Sequence, residues 1–337
     1  MKRLIGSAVA AAALFGSADT AFAWGSTGHR MIGQAAIEAL PEDVPAFVRA
    51  ESSAVAVGEL SREPDRLRGA GKAFDGDHSP GHFVDGGDDA KIAGALMLAA
   101  LPPTRDDYEA ALRAAGTSSW KMGYLPYSII EDWQQLAKDF AYWRIDRAAA
   151  RYTTDDRHRV WFEADQARRE GQILVDIGQL SHFVGDGSMP LHASAHYNRW
   201  GPFPNPNGYT QERVHVPWEG FYVRQVVDYQ AMKAKMAPFS DCGCAIEQRV
   251  GAYLAADLAT VIPFYELEKA GAFKGKDPKG VDFTTARVAA GAAELRDEIV
   301  LAWRSSREAK VGYEPEVSVT DVEAGKVDPY DSVYGVD

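Results

Sequence analysis

The chain has 337 residues, of which 46% are hydrophobic, and a formal net charge of −12. That length only slightly exceeds the size at which one hydrophobic core usually stops growing, so we expect a single domain with long loops. The acidic balance argues against broad attraction to nucleic acid or anionic lipid, so an anionic substrate requires a local positive site.

The N-terminus has the three parts of a secretory signal. Lys2 and Arg3 precede an apolar or small stretch over residues 4–15, and the Ala-Phe-Ala at 21–23 fits a signal-peptidase site. We expect residues 1–23 to be a signal peptide, Trp24 to be the mature N-terminus, and the protein to be periplasmic or extracellular. No later stretch is expected to approach the ~20 apolar residues of a membrane helix, which predicts no stable membrane insertion.

Helical patterns dominate the rest of the chain. Helices are predicted over residues 29–40, 91–101, 106–115, 129–151, 157–185, 216–236, 245–270 and 284–307. The Gly-, Asp- and Pro-rich residues 61–89 and the Pro-rich residues 200–208 predict long loops. We therefore predict an all-α fold with one domain over 24–310, followed by an acidic, loosely ordered tail over 311–337.

Two pairs of metal-ligand side chains recur at helical spacing. His182 and Asp186 lie four residues apart on the predicted helix 157–185, and His215 and Glu219 repeat that spacing. Side chains four apart share one face of a helix. Each pair taken alone is as consistent with a structural ion pair as with a metal site.

The sequence around Asp186 adds a second indication. Gly185 and Gly187 flank this aspartate, although glycine in a helix costs about 1 kcal/mol relative to alanine. A close approach of another backbone or of a ligand would explain them. His192, just beyond Pro190, is expected to reach the same place.

Further candidates lie in the predicted loop 61–89. Asp65 and His82 are the preferred ligands there, and the competing residues are Asp75, Asp77 and His78. His196 is expected to support the ligands, and His158 to lie at the surface. Cys242 and Cys244 fit either a strained disulfide or two free thiols.

Taken together, these motifs resemble the superfamily that joins bacterial zinc-dependent phospholipases C with the single-strand-specific zinc nucleases of fungi and plants. The matching segments are Trp24 with His29, the Asp65 loop, His82-Phe83-x-Asp85, His182-x3-Asp186-x5-His192 and His215-x3-Glu219. The resemblance implies long loops around a cleft with three Zn²⁺ ions. One would be held by Asp65, His82, His182 and Asp186; a second by His192, His215 and Glu219; and a third by the Trp24 amine and carbonyl, His29 and Asp186.

The resemblance implies a secreted, monomeric zinc hydrolase of phosphate esters that uses a metal-activated water. Asp65 would orient or deprotonate that water. Phe83 would stack on a nucleobase, and Asp85 would accept hydrogens from its edge. The leading expectation is a nuclease and nucleotidase that cleaves single-stranded DNA or RNA. A phospholipase C is the alternative, and a non-catalytic zinc-binding scaffold is the alternative of another class.

Overall fold

A computed structural model of the chain describes residues 24–201 and 204–335, so the expected signal peptide lies outside the described residues. The fold is all-α, with 64% helix and 4% strand. The described helices are α1 (Gly25–Glu38), α2 (Glu51–Leu60), α3 (Glu63–Arg68), α4 (Lys72–His78), α5 (Arg105–Ala114), α6 (Ser119–Met122), α7 (Leu125–Tyr152), α8 (Asp156–Gly187), α9 (Val223–Val226), α10 (Tyr229–Ala234), α11 (Ile246–Leu258), α12 (Val261–Lys269), α13 (Pro278–Ser305), α14 (Val319–Glu323) and α15 (Tyr330–Tyr334).

Short segments connect these helices. Single 3₁₀ turns cover Ser79–His82, Pro190–His192 and Ser306–Glu308, and a π-helical segment covers Pro217–Tyr222. Two antiparallel ladders pair β1 (Lys91–Ile92) with β2 (Leu96–Met97) and β3 (Lys310–Val311) with β4 (Val317–Ser318). A disulfide joins Cys242 and Cys244, whose Cα atoms are 5.1 Å apart.

Three long helices build the centre of the molecule. Helices α7, α8 and α13 contain 28, 32 and 28 residues, and α1 and α2 pack against α8. Asp155 is the N-cap of α8, and its carboxylate accepts hydrogen bonds from the amides of Arg157 and His158. Because Ile173, Ile177 and Leu180 recur at helical spacing and are fully buried, α8 is fixed by the core along much of its length.

The prediction of a long loop over residues 61–89 was wrong, because much of this segment is helical. Pro64 stands in the first turn of α3, where its missing N–H has no partner to lose. Gly71 precedes α4 with φ of 142°. The proline and glycine that indicated a loop therefore mark helix starts.

The predicted helix over residues 91–101 is instead the β1–β2 hairpin. Ala93 (φ 53°) and Gly94 (φ 68°) adopt left-handed conformations at its tip, which a helix cannot contain. The two long helices predicted over 216–236 and 245–270 are each divided into shorter ones.

The expectation that no later stretch has the length and apolarity of a membrane span was also wrong. Among the described residues, Ile246–Lys269 meets both criteria, with a mean hydropathy of 1.2. This stretch is two helices, α11 and α12. Val250, Leu254, Phe264 and Tyr265 on these helices are fully buried in the core. A core helix passes the same test, so this finding is weak evidence for membrane insertion.

The C-terminal segment up to residue 335 is packed, which corrects the prediction of a loose tail. Val319 and Val322 are fully buried against Ala141 and Ile145 of α7. Farther on, the ring of Tyr330 stacks on His158 at 3.5 Å with an interplanar angle of 3°, so His158 is half-buried rather than a free surface residue.

A pair of matched substitutions tests this packing. Val319→Ala should lower the free energy of unfolding by about 2 kcal/mol, because it removes two buried methyl groups and leaves a cavity. Val327→Ala, in the same segment but at a side chain that is 40% exposed, should cost about 0.5 kcal/mol or less. Equal, negligible effects in urea unfolding would mean that the segment is loosely attached after all.

Candidate metal centre

Eight side chains from distant parts of the chain meet at one buried place, which we call the ligand cluster. Each is at most 8% exposed. Its members are His29, Asp65, His82, His182, Asp186, His192, His215 and Glu219. Within each of three groups, the potential ligand atoms lie within 4.8 Å of one another: His29–His182–Asp186, Asp65–His82–His182 and His192–His215–Glu219. These groups can hold metal ions.

The first two groups share His182, and the carboxylate of Asp186 contacts members of both. Its Oδ2 lies 3.0 Å from His82 Nδ1 and 3.5 Å from His182 Nε2, whereas its Oδ1 lies 3.5 Å from His29 Nε2. His182 Nε2 is also 2.9 Å from His82 Nδ1 and 3.9 Å from Asp65 Oδ1. The two oxygens of Asp186 thus face different groups, as those of a bridging carboxylate do.

The third group is compact. His192 Nε2 and His215 Nε2 are 2.9 Å apart, and Glu219 Oε2 lies 3.0 Å from His215 Nε2 and 3.8 Å from His192 Nε2. Glu219 belongs to the π-helical segment, a wider turn that often occurs at functional sites. Pro217 lies in the first turn of this segment, where its missing N–H has no partner to lose.

Backbone carbonyls orient three of the imidazoles. In each of the three, Nδ1 donates to a carbonyl oxygen at 2.5–2.7 Å and Nε2 points into the ligand cluster. The bonds run from His182 to Ser61, from His192 to His82, and from His215 to Tyr197. A neutral imidazole has one N–H, so these bonds leave a lone pair on each Nε2.

Burial lowers the pKa of His82 and His182 well below the usual value and also lowers that of His192, which favours the neutral form of these three rings. Nε2 of His192 and Nε2 of His215 lie 2.9 Å apart. A metal cation between these two nitrogens would be bound by both.

Three carboxylate oxygens in the ligand cluster lack a hydrogen-bond donor. Asp65 Oδ1, Asp186 Oδ1 and Glu219 Oε2 are buried and accept no hydrogen bond from the described part of the chain, although Arg68 Nη1 lies 3.8 Å from Asp65 Oδ1. Burial raises the pKa of Asp65 to about 7 and that of Asp186 well above its usual value. Buried carboxylate oxygens without donors are costly unless they are paired or bind metal. Imidazole and carboxylate donors together suit divalent metals of the zinc type.

The glycines next to Asp186 are explained by close neighbours, as the sequence suggested. A Cβ on Gly185 would lie 2.9 Å from Nδ1 of His29, and a Cβ on Gly187 would lie 2.7 Å from the ring of Tyr253. The ring of His29 also stacks on His182, with centroids 4.0 Å apart. Gly185 therefore lets α1 approach α8 closely enough to bring His29 to Asp186.

Trp24 lies beside the ligand cluster. Its indole Nε1 donates to Ser188 Oγ at 2.8 Å, just after α8, and its ring packs on Trp218 at 5.2 Å. The side chain is fully buried. Trp24, His182 and His215 are thus gathered around one site, which the sequence-based hypothesis of a hydrolase required.

Gly25, the residue that follows Trp24, is close to Glu219. A Cβ on Gly25 would lie 3.3 Å from Cα of Gly220 and 3.6 Å from the carbonyl oxygen of Glu219. The Trp24 carbonyl accepts the amide of Gly28 at 3.1 Å, which occupies one of its two lone pairs. The role of the Trp24 amine and carbonyl as metal ligands stays a prediction, because residue 23 lies outside the described residues.

Tertiary structure separates Asp65 and His82 from their competitors. Asp75 pairs with Arg68 at 3.0 Å, and Asp77 and His78 are exposed. None of these three competitors belongs to the groups found among the described residues.

His196, Phe83 and Asp85 lie outside the ligand groups. His196 stacks on Trp200 at 3.7 Å and contacts Asp88 at 2.9 Å. Phe83 is half-buried against Gly123, and burial raises the pKa of Asp85 to about 7. The described linings of the two cavities next to the ligand cluster include neither Phe83 nor Asp85, whose substrate-binding role stays a prediction.

These two cavities are separated by α3. We call the first the basic cavity. It has a volume of about 600 Å³ and reaches the ligand cluster at Asp65 and Glu219. Its lining also includes the first residues of α1 and the side chains of Arg62, Arg66, Phe221 and Arg224.

We call the second the acidic cavity. It has a volume of about 520 Å³ and reaches the ligand cluster at His82. Its lining also includes Glu63, Arg105, Tyr124, Glu131, Asp132 and Phe183. Sequence analysis did not single out these wall residues for binding. The arginines that flank Asp65 in the sequence, Arg62 and Arg66, could have indicated a positively charged wall beside this ligand.

No known family model and no curated protein sequence matches the chain. The function is therefore inferred from the residues of the site.

Substitution of Glu219 tests whether the third group binds metal. Glu219→Gln keeps the shape of the side chain but removes the charge that faces His192 and His215. After dialysis against zinc-free buffer, the variant should retain about one metal ion fewer per chain than the wild type. The control is Glu212→Gln, an exposed position nearby, which should retain the wild-type content by elemental analysis. Equal metal contents would rule out Glu219 as a ligand.

Proposed function

We propose that the protein is a secreted zinc-dependent hydrolase of phosphate esters that cleaves single-stranded DNA or RNA and acts as a nucleotidase. One observation carries the proposal: the three ligand groups are contiguous. Asp186 belongs to one group and bridges to His82 of another, and His192 of the third donates to the backbone of His82. The same residues carry the resemblance to zinc nucleases and phospholipases C, which supports this reaction class.

The donor set fits three Zn²⁺ ions, with Trp24 completing the third site once the signal peptide is removed. Zinc in such a site supplies a Lewis acid and lowers the pKa of bound water to about 7. Asp65 would take part in the reaction because its Oδ1 is unsatisfied and the residue lines the basic cavity. In that position Asp65 would orient or deprotonate the water.

The chain's own charges favour an anionic substrate at this site. The arginines of the basic cavity supply a local positive surface on a protein whose net charge is −12. Such a site draws an anion despite the overall acidic balance.

A phospholipase C is the second candidate, and the acidic cavity favours it. Tyr124 and Phe183 contribute aromatic walls, and Glu63, Glu131 and Asp132 contribute carboxylates, a combination that suits a cationic headgroup. Leu67 in the same wall is 40% exposed.

Turnover assays separate these candidates. The mature protein should hydrolyse single-stranded DNA, RNA and a generic aryl phosphodiester, lose activity on chelation, and regain it with zinc. Preference for phosphatidylcholine vesicles would instead identify the phospholipase. No turnover of any of these substrates with zinc present would favour a non-catalytic zinc-binding scaffold.

The terminal amine is tested by extending the chain. A protein that keeps a methionine before Trp24 has a peptide nitrogen where the free amine would be, so it should bind fewer than three zinc ions. The comparison is the same protein after proteolytic exposure of Trp24, measured by elemental analysis. Three zinc ions on the extended protein would show that the amine is not a ligand.

A further inference from the structure

The charged side chains of the two cavities differ in sign. Apart from the cluster members Asp65 and Glu219, the charged residues in the described lining of the basic cavity are Arg62, Arg66 and Arg224. The acidic cavity has Glu63 and Glu131 against one arginine, Arg105, together with Asp132, whose carboxyl pKa is raised by burial to about 8. A chain that continues beyond the reacting group therefore meets a net positive charge only on the basic side.

Arg224 is the most available of these arginines. Arg62 is held by Glu59 at 2.6 Å, and Arg66 pairs with Glu63. Arg224 is exposed and makes no ion pair with the residues that the structure describes. Its guanidinium carbon lies 5.8 Å from the ring centroid of Phe221. A charged group without a carboxylate partner remains available to an anionic ligand.

The start of α1 adds backbone donors to the same wall. Gly25, Ser26 and Thr27 line the basic cavity, and the first turn of this 14-residue helix has no acidic side chain. The first amides of a helix lack intrahelical acceptors and carry partial positive charge, so they favour phosphate. Oδ1 of Asp65 and Oε2 of Glu219, which accept no hydrogen bond from the described chain, mark the place where this wall meets the ligand cluster.

An aromatic ring completes the wall. Phe221 is 54% exposed although it is two residues from the buried Glu219. Exposed aromatic rings beside arginines are the usual platform for unpaired bases in single strands. The wall thus offers both a phosphate contact and a stacking surface beside the ligand cluster.

We propose that the basic cavity binds the nucleotide adjacent to the scissile phosphate of a single-stranded nucleic acid. Arg224, with Arg66 and the first amides of α1, binds that nucleotide's phosphate, and Phe221 stacks on its base. This inference rests on the proposed function and specifies its substrate. A neutral phospholipid has a single phosphate, so once that group reaches the ligand cluster no anion remains for the arginines, whereas a strand carries one phosphate per nucleotide.

The test measures binding and turnover of an oligothymidylate by the zinc-loaded protein at several salt concentrations. Arg224→Gln should lower the slope of log affinity against log salt by about 0.7, the value for one phosphate contact on a single strand. Phe221→Ala should weaken strand affinity about tenfold. The ratio of strand turnover to aryl phosphodiester turnover should fall in both variants. Arg157→Gln, at a side chain that is 88% exposed on α8, is the control and should match the wild type.

Unchanged salt slope and affinity in both variants would overturn the inference. The inference would also be overturned if the variants lost strand turnover and aryl phosphodiester turnover equally while strand affinity stayed unchanged. In that case the substituted residues would support the structure of the site and would not bind the strand. Turnover of the aryl phosphodiester and of lipid vesicles without strand binding would refute the inference while leaving the hydrolase intact. If no phosphate ester is hydrolysed, the proposed function fails, and strand affinity still decides the inference.

Discussion

The site depends on one electrostatic constraint: buried imidazole nitrogens and carboxylate oxygens that face one another at short distances. Backbone carbonyls hold the N–H of three imidazoles outward, so Nε2 of His192 and Nε2 of His215 meet at 2.9 Å. Oε2 of Glu219, which accepts no hydrogen bond from the described residues, lies 3.0 Å from Nε2 of His215. A metal cation in this space would be bound by all three atoms. Metal binding is therefore coupled to the folded arrangement of segments far apart in sequence.

The sequence could predict the ligands that share one element but could not rank those on irregular segments. Helical spacing places His182 beside Asp186 and His215 beside Glu219, although spacing alone does not distinguish a metal site from an ion pair. The choice of Asp65 over Asp75 depends on burial, which is a tertiary property. Arg224 and the other side chains of the basic cavity have no distinctive spacing, and they meet only because α3 lies opposite the π-helical segment. Sequence analysis missed them for that reason.

The dependence on tertiary contacts also explains the errors in the fold predicted from the sequence. Long helices such as α7 and α8 were predicted because apolar side chains recur along many turns. Pro64 and Gly71 indicated a loop, since local composition does not distinguish a helix start from an irregular segment. The acidic C-terminal segment has few apolar residues, but Val319 and Val322 both face α7. Where a few apolar residues share one face, their arrangement matters more than their number.

The close contact between Gly185 and His29 has a consequence for the metal-free protein. Two glycines lie in the last turn of α8, where each costs about 1 kcal/mol of helix stability relative to alanine. The turn that carries Asp186 is therefore held by its tertiary neighbours, and would be held by a cation at Asp186, more than by its own helical propensity. Without cations, this end of the helix should open first and exchange its amide hydrogens fastest, ahead of the buried body of α8.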